Sequence, residues 1–128
     1  MAAISNYLEN ALINGTLRAT SYTAPSTVYV ALFTSDPTDA GSGTECSGAS
    51  YARQSATFAA PSNGASTTSA DVQFPQAGGS WGTITHFGIF DASSAGNLLY
   101  HGALTVSKTI DTGDVFKIAA GSLTVTLA

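Results

Sequence analysis

WGTITHFGIFDA, residues Trp81 to Ala92, decides the fold class. Trp81, Thr83, Thr85, Phe87 and Ile89 alternate with Gly82, Ile84, His86, Gly88 and Phe90, the period of two that sends successive side chains to opposite faces of a strand. One face is then aromatic-rich and the other partly glycine. Glycine inside a strand adds backbone entropy cost and nothing to pack, so its presence implies close approach of an aromatic ring or a second backbone. Asp91 to Gly96 supplies a turn and Asn97 to Leu104 returns as the next strand.

Working outward, VYVALFT (Val28 to Thr34) is a continuous β-prone run with Pro25 before it and Asp36-Pro37 after it, the pattern of a central strand buried on both faces. Tyr51 to Phe58 and Thr68 to Phe74 are two further strands, separated by the turn residues Pro61, Asn63 and Gly64, and are expected to pair as a hairpin. Asp111-Thr112-Gly113-Asp114 divides a Thr105 to Ile110 run from Val115 to Ala119, and the chain closes on Leu123, Val125 and Leu127 alternating with Thr124 and Thr126. At the other end, Ile4, Tyr7, Leu8, Ala11 and Leu12 recur at helical spacing before Asn14-Gly15, which predicts an amphipathic helix over residues 3–13. Three turns of helix are marginal without a partner, so this one lies on its own sheet or on a neighbour, the former being favoured. The expectation is an all-β domain over residues 1–128, a β-sandwich or jelly-roll-like fold of seven to eight strands with a short N-terminal helix.

Only 9% of the 128 residues are charged, against about 25% in an average soluble protein. Hydrophobic content is an ordinary 44%, so the deficit is in surface charge. Ser, Thr, Gly and Ala replace it, and such small side chains let surfaces approach with little desolvation and little rotamer entropy to lose. That composition suits a chain packed against others, although a charge-poor secreted domain would share it. Arg18, Arg53, Lys108 and Lys117 are scattered, and the net charge is −4. Without a basic stripe neither a phosphate backbone nor an anionic membrane is an expected partner. Neither a basic leader with an apolar core nor a span of about 20 apolar residues is present, so synthesis and folding in the cytoplasm without a signal peptide are expected.

Candidate chemistry is sparse. His86 and His101 lie on strands joined by the 91–96 turn and are expected roughly opposite one another, but zinc needs a third and usually a fourth ligand, and none falls at ligand spacing. Asp36, Asp39 and Glu45 place three carboxylates in the Gly/Ser-rich loop 35–50 without a calcium-loop pattern. Sixteen serines contain no GxSxG elbow, and the glycine-rich segments lack a phosphate-loop ending. Cys46, the one cysteine, reads as a free thiol in a polar loop. No catalytic residue, cofactor or metal is assigned. Trp81, Tyr51, Tyr100, Tyr22 and Tyr29 keep a carbohydrate platform open, with core or interface packing the commoner fate of such rings.

The strings VYVALFTSDPTDAG (28–41), SYARQ (50–54), WGTITHFGIFDA (81–92), GNLLYHGAL (96–104) and SKTIDTGDVFKIAAGSLTVTL (107–127) together resemble a family of small tailed-phage and prophage virion proteins usually labelled tail fibre or minor tail protein. The resemblance covers nearly the whole chain and implies a non-enzymatic structural role in the virion, tail-associated or as a head-decoration (cement) protein. The implied partners are copies of itself, with a trimer favoured, and other capsid or tail subunits; a host-surface glycan is the alternative. Interface candidates are drawn from the helix (Leu8, Leu12), the 35–50 loop (Asp36, Asp39, Glu45), which is a contact arm or a solvated connector, and the sheet (Trp81, Phe87, Tyr100).

Overall fold

A computed structural model describes residues 2–127. In chain order the elements are β1 (Ala3–Ile4), α1 (Asn6–Leu17), β2 (Val28–Phe33), β3 (Gln54–Ala56), β4 (Ala65–Thr67), β5 (Val72–Gln73), β6 (Gly82–Phe90), β7 (Leu98–Ile110), β8 (Lys117–Ile118) and β9 (Thr124–Thr126). Five strands form an antiparallel sheet in the order β1-β7-β6-β2-β3, and two two-stranded ribbons, β4-β9 and β5-β8, lie against it. The fold is therefore mostly β with one short N-terminal helix, as the alternating patterns predict.

The core fills the space between the sheet and the ribbons. Val30 and Leu32 of β2, Ile84, Phe87 and Ile89 of β6 and Ile110 of β7 meet Val72, Phe74, Phe116 and Leu123 there. The reverse face of the sheet carries a second cluster of Ala31, Phe33, Phe90 and Leu98. β2 is thus buried on both sides, which explains why its sequence is a continuous apolar run rather than an alternating one. Gly88 sits under the second cluster: Phe33 and Phe90 stack nearly parallel with centroids 6.1 Å apart, and a Cβ at Gly88 would lie 2.9 Å from Phe33 and Leu98 and 3.0 Å from Phe90. The close ring approach expected of a strand glycine is found here.

Several expectations are corrected. The helix runs from Asn6 to Leu17 rather than 3–13, because Ala3 and Ile4 pair with His101 and Tyr100 as β1. Ser5 caps it, accepting from Leu8 N–H while its hydroxyl donates to the Leu98 carbonyl. Gly15 does not stop it; the Asn14 carbonyl takes both Arg18 N–H and Thr20 N–H, with Ala19 in the left-handed region, and the chain turns there. The 51–58 and 68–74 runs shrink to β3 and β5, and they pair elsewhere: β3 joins β2, β5 joins β8, and a single bridge, Phe58 to Thr68, remains between the two runs. Thr105 to Ile110 is not a separate strand but the continuation of β7.

The alternation in β6 also slips. Ile84 is fully buried and Thr83 exposed, so the inward set is Trp81, Ile84, Phe87 and Ile89 instead of every second residue from Trp81. Two irregularities shift the period. Gly82 takes a positive φ of 79°, and between the pairs Ile84–Lys108 and His86–Ala103 one residue of β6, Thr85, faces Leu104 to Ser107 of β7. This bulge bends the hairpin and re-aims its side chains.

Replacing Gly88 by Ala drives a methyl into the Phe33–Phe90 stack and is expected to cost about 1–3 kcal/mol, the usual penalty of overpacking. Urea titration checks it, as a lower midpoint with an unchanged slope.

Candidate functional site

The 35–50 segment, expected to be a contact arm or a solvated connector, is folded back onto the sheet. Thr34 N–H bonds the Thr44 carbonyl and Cys46 N–H the Leu32 carbonyl, Pro37 is buried, and Gly41 rests against Leu98. Cys46 is consequently buried in the main core, not in a polar loop. Burial pushes its thiol pKa up, so the nucleophilic thiolate is suppressed.

Two polar clusters fasten this segment. In the first, Glu45 accepts from Arg53 through both carboxylate oxygens, at 2.9 and 2.8 Å, and from the Tyr51 hydroxyl at 2.7 Å. Tyr51 in turn accepts the Leu32 N–H at 3.0 Å. The Arg53 side chain, only 8% exposed, also donates to the carbonyls of Ala92 and Ala95 in the β6–β7 turn and lies 3.8 Å over the Phe90 ring. Burial pushes the Glu45 carboxyl up, but the hydrogen bonds from Arg53 and Tyr51 and the Arg53 charge outweigh it and hold the pKa below its ordinary value. The Tyr51 hydroxyl is pushed far upward by burial and by the carboxylate it donates to. In the second cluster, His101 Nε2 lies 2.8 Å from Asp39 and His101 Nδ1 3.8 Å from Asp36, which ties the loop to β7.

The interface candidates therefore separate. Trp81 and Phe87 belong to the core; Trp81 is 4% exposed and its indole N–H donates to the Ala49 carbonyl at 2.8 Å. A ring so enclosed offers no face to a sugar. Tyr100 is half-buried opposite Ile4 and Ile89, and Leu8 is the buried residue that fixes α1 on its own chain. Leu12 remains half-buried, Asp36 and Asp39 about half exposed, and Glu45 is held by Arg53. His86 and His101 are not opposite one another: His86 faces Ala103 and bonds Thr85, while His101 faces Gly88. Among the described residues no three His, Cys, Asp or Glu side chains are arranged to hold a metal ion, and no helix is long and apolar enough to cross a membrane.

Of the open depressions on the surface, two carry strongly exposed apolar side chains. The larger, about 870 Å³, runs between the bulged half of β7 and residues 114–124, with Leu104, Val106, Lys108, Val115 and Lys117 along it. The second, about 540 Å³, lies where α1, β1 and β9 meet. Their exposed apolar residues include Val106, Val115, Ile13 and Leu127, none of which is among the candidates from sequence. Ile13 falls off the helical stripe read there, and only that mismatch could have signalled it. Val106 stands in the bulge, which no local pattern announces.

Glu45→Gln should cost about 2–3 kcal/mol at neutral pH, because it leaves a largely buried guanidinium without its counter-charge. Since the folded carboxyl titrates below the unfolded one, its stabilisation is full above about pH 4.3 and lost as pH falls through the folded value. Melting curves from pH 7 to pH 2 should therefore show a smaller acid-induced loss in the variant than in the parent. Trp81→Ala should cost about 3–5 kcal/mol as a core truncation, measurable by thermal melting, and is a fold mutation rather than a probe of sugar binding.

A family model described as podophage GP4 fiber I protein gp80 matches residues 3–126. Comparison with curated proteins finds no match. The match takes in every strand, the helix and both fastened clusters, and the chain belongs to this family of phage fibre structural proteins.

Proposed function

We propose that the chain is a non-enzymatic subunit of the tail-fibre region of the virion, which associates with copies of itself, as a trimer, and packs on other virion proteins. The family match over residues 3–126 carries the reading. The surface supports it. Charged residues are 9% of the chain, Arg53 is consumed internally, and both depressions are edged by exposed apolar side chains. Surfaces of this kind lose little on desolvation when a neighbour covers them. Closed symmetry is the common outcome of self-association, and the trimer is what the resemblance to phage fibre proteins implies. The fibre description favours a tail position over head decoration. A host-glycan site is the second reading, and with Trp81 enclosed it would rest on Tyr7, the most exposed of the tyrosines.

Immunogold labelling of intact particles tests the position: gold at the tail is expected, and gold spread over the head would replace the fibre reading with a decoration role. Light scattering across a concentration series tests association. A species of three times 12.9 kDa is expected, and a monomer at every concentration would remove self-association from the proposal.

A further inference from the structure

The notch between α1, β1 and β9 combines an apolar floor with an acidic rim. Ile13 and Leu127 are 54% and 43% exposed, Glu9 and Asp39 stand beside them, and among the described residues no Lys, Arg or His lines it. The groove along β7 supplies the complement: Val106, 64% exposed, and Lys108 both border it. Most charges on the chain already have a partner. Among the described residues Arg53 is taken by Glu45, Lys117 by Asp71 and Arg18 by Asn14, which leaves Lys108 as the cation with no hydrogen bond or ion pair. On the acidic side, Asp36 and Asp39 face His101, Asp91 holds Asn97, and Asp114 accepts the Asp111 N–H. The Glu9 and Asp111 carboxylates remain, and of these two Glu9 is the one at the notch.

Charge decides which of these patches can meet. Notch against notch sets Glu9 and Asp39 of one copy against those of another, and like charges brought together at an interface are strongly disfavoured. Notch against groove does the reverse: it matches the unpaired Glu9 with the unpaired Lys108 and covers Ile13, Leu127 and Val106 in one contact. A ring of three can be built only from contacts of this kind, because each copy meets its two neighbours through two unlike patches. We propose that the occupant of the notch is a second copy of this chain, joined head to tail, with Val106 seated between Ile13 and Leu127 and Lys108 paired with Glu9. The inference rests on the reading of the chain as a self-associating subunit and names the contact through which it associates.

The test is sedimentation equilibrium of the purified chain. Glu9→Lys and Lys108→Glu should each raise the concentration at which the oligomer half-forms by at least about tenfold. The double reversal E9K/K108E restores opposite charges and should recover most of that loss, which damage to the fold by either substitution would not allow; circular dichroism should show each variant folded as the parent is. Chains carrying Ile13→Cys, mixed with chains carrying Val106→Cys and mildly oxidised, should form a disulfide-linked pair of unlike chains, while Ile13→Cys chains alone stay unlinked; the native Cys46 is buried and does not compete. An oligomer indifferent to both single reversals, a double reversal no better than the singles, or Ile13→Cys chains linking to one another instead of to Val106→Cys would overturn the proposal while self-association stands, and would leave the notch to another virion protein. A parent chain that is monomeric at every concentration removes the contact and the self-association reading together.

Discussion

Arg53 is the one cation that the described residues withdraw from water, and four stretches of chain are held to it. Its guanidinium binds Glu45 at the end of the folded-back loop, the Ala92 and Ala95 carbonyls of the β6–β7 turn and the face of Phe90, while its own backbone leads into β3. A desolvated guanidinium is tolerable only when its donors and its charge are matched, and here both are. The consequence reaches beyond the ion pair. Glu45 also orders Tyr51, whose oxygen occupies the Leu32 N–H at the centre of β2. Loop, turn and central strand are therefore positioned by one network, in which weakening any member leaves another buried group unsatisfied.

The network makes sense of a chain with so little charge. Stacking on Phe90 above Gly88 joins the aromatic cluster of the reverse face to the polar fastening, so the sheet is closed on that side by a loop instead of a second sheet. The ribbons close the other side. What is left outside is mostly small and uncharged, with exposed apolar residues gathered beside the depressions at β7 and at α1.

The long β patterns and the helix were legible because each depends on local periodicity. β2, β6 and β7 follow from Val28 to Phe33, Trp81 to Phe90 and Asn97 onward, and the resemblance to phage fibre proteins rests on those same strings. What could not be read are the choices made between distant residues. Nothing local tells that Val72 pairs with Ile118 rather than across the Asn63-Gly64 turn, or that Ile4 leaves its helical stripe to pair with Tyr100. Glu45 looked like a loop carboxylate because its partner lies eight residues on and its burial comes from the opposite wall. Cys46 was misread for the same reason. A loop rich in Gly and Ser has the composition of a solvated connector even when it is pinned, and the pinning resides in Arg53 and His101, outside it. Of the candidate contact residues, Trp81 and Phe87 were attractive as aromatics, and burial removed them.

The bulge at Leu104 to Ser107 carries a further implication. Beyond His101 no strand among the described residues covers the outer edge of β7, and an uncovered edge so poor in charge is a template for cross-β growth. Bowing the strand away from β6 breaks the regular spacing of its free N–H and C=O groups, so an extended chain cannot zip along it. Copies of the chain brought close together are thereby hindered from pairing through their backbones along this edge.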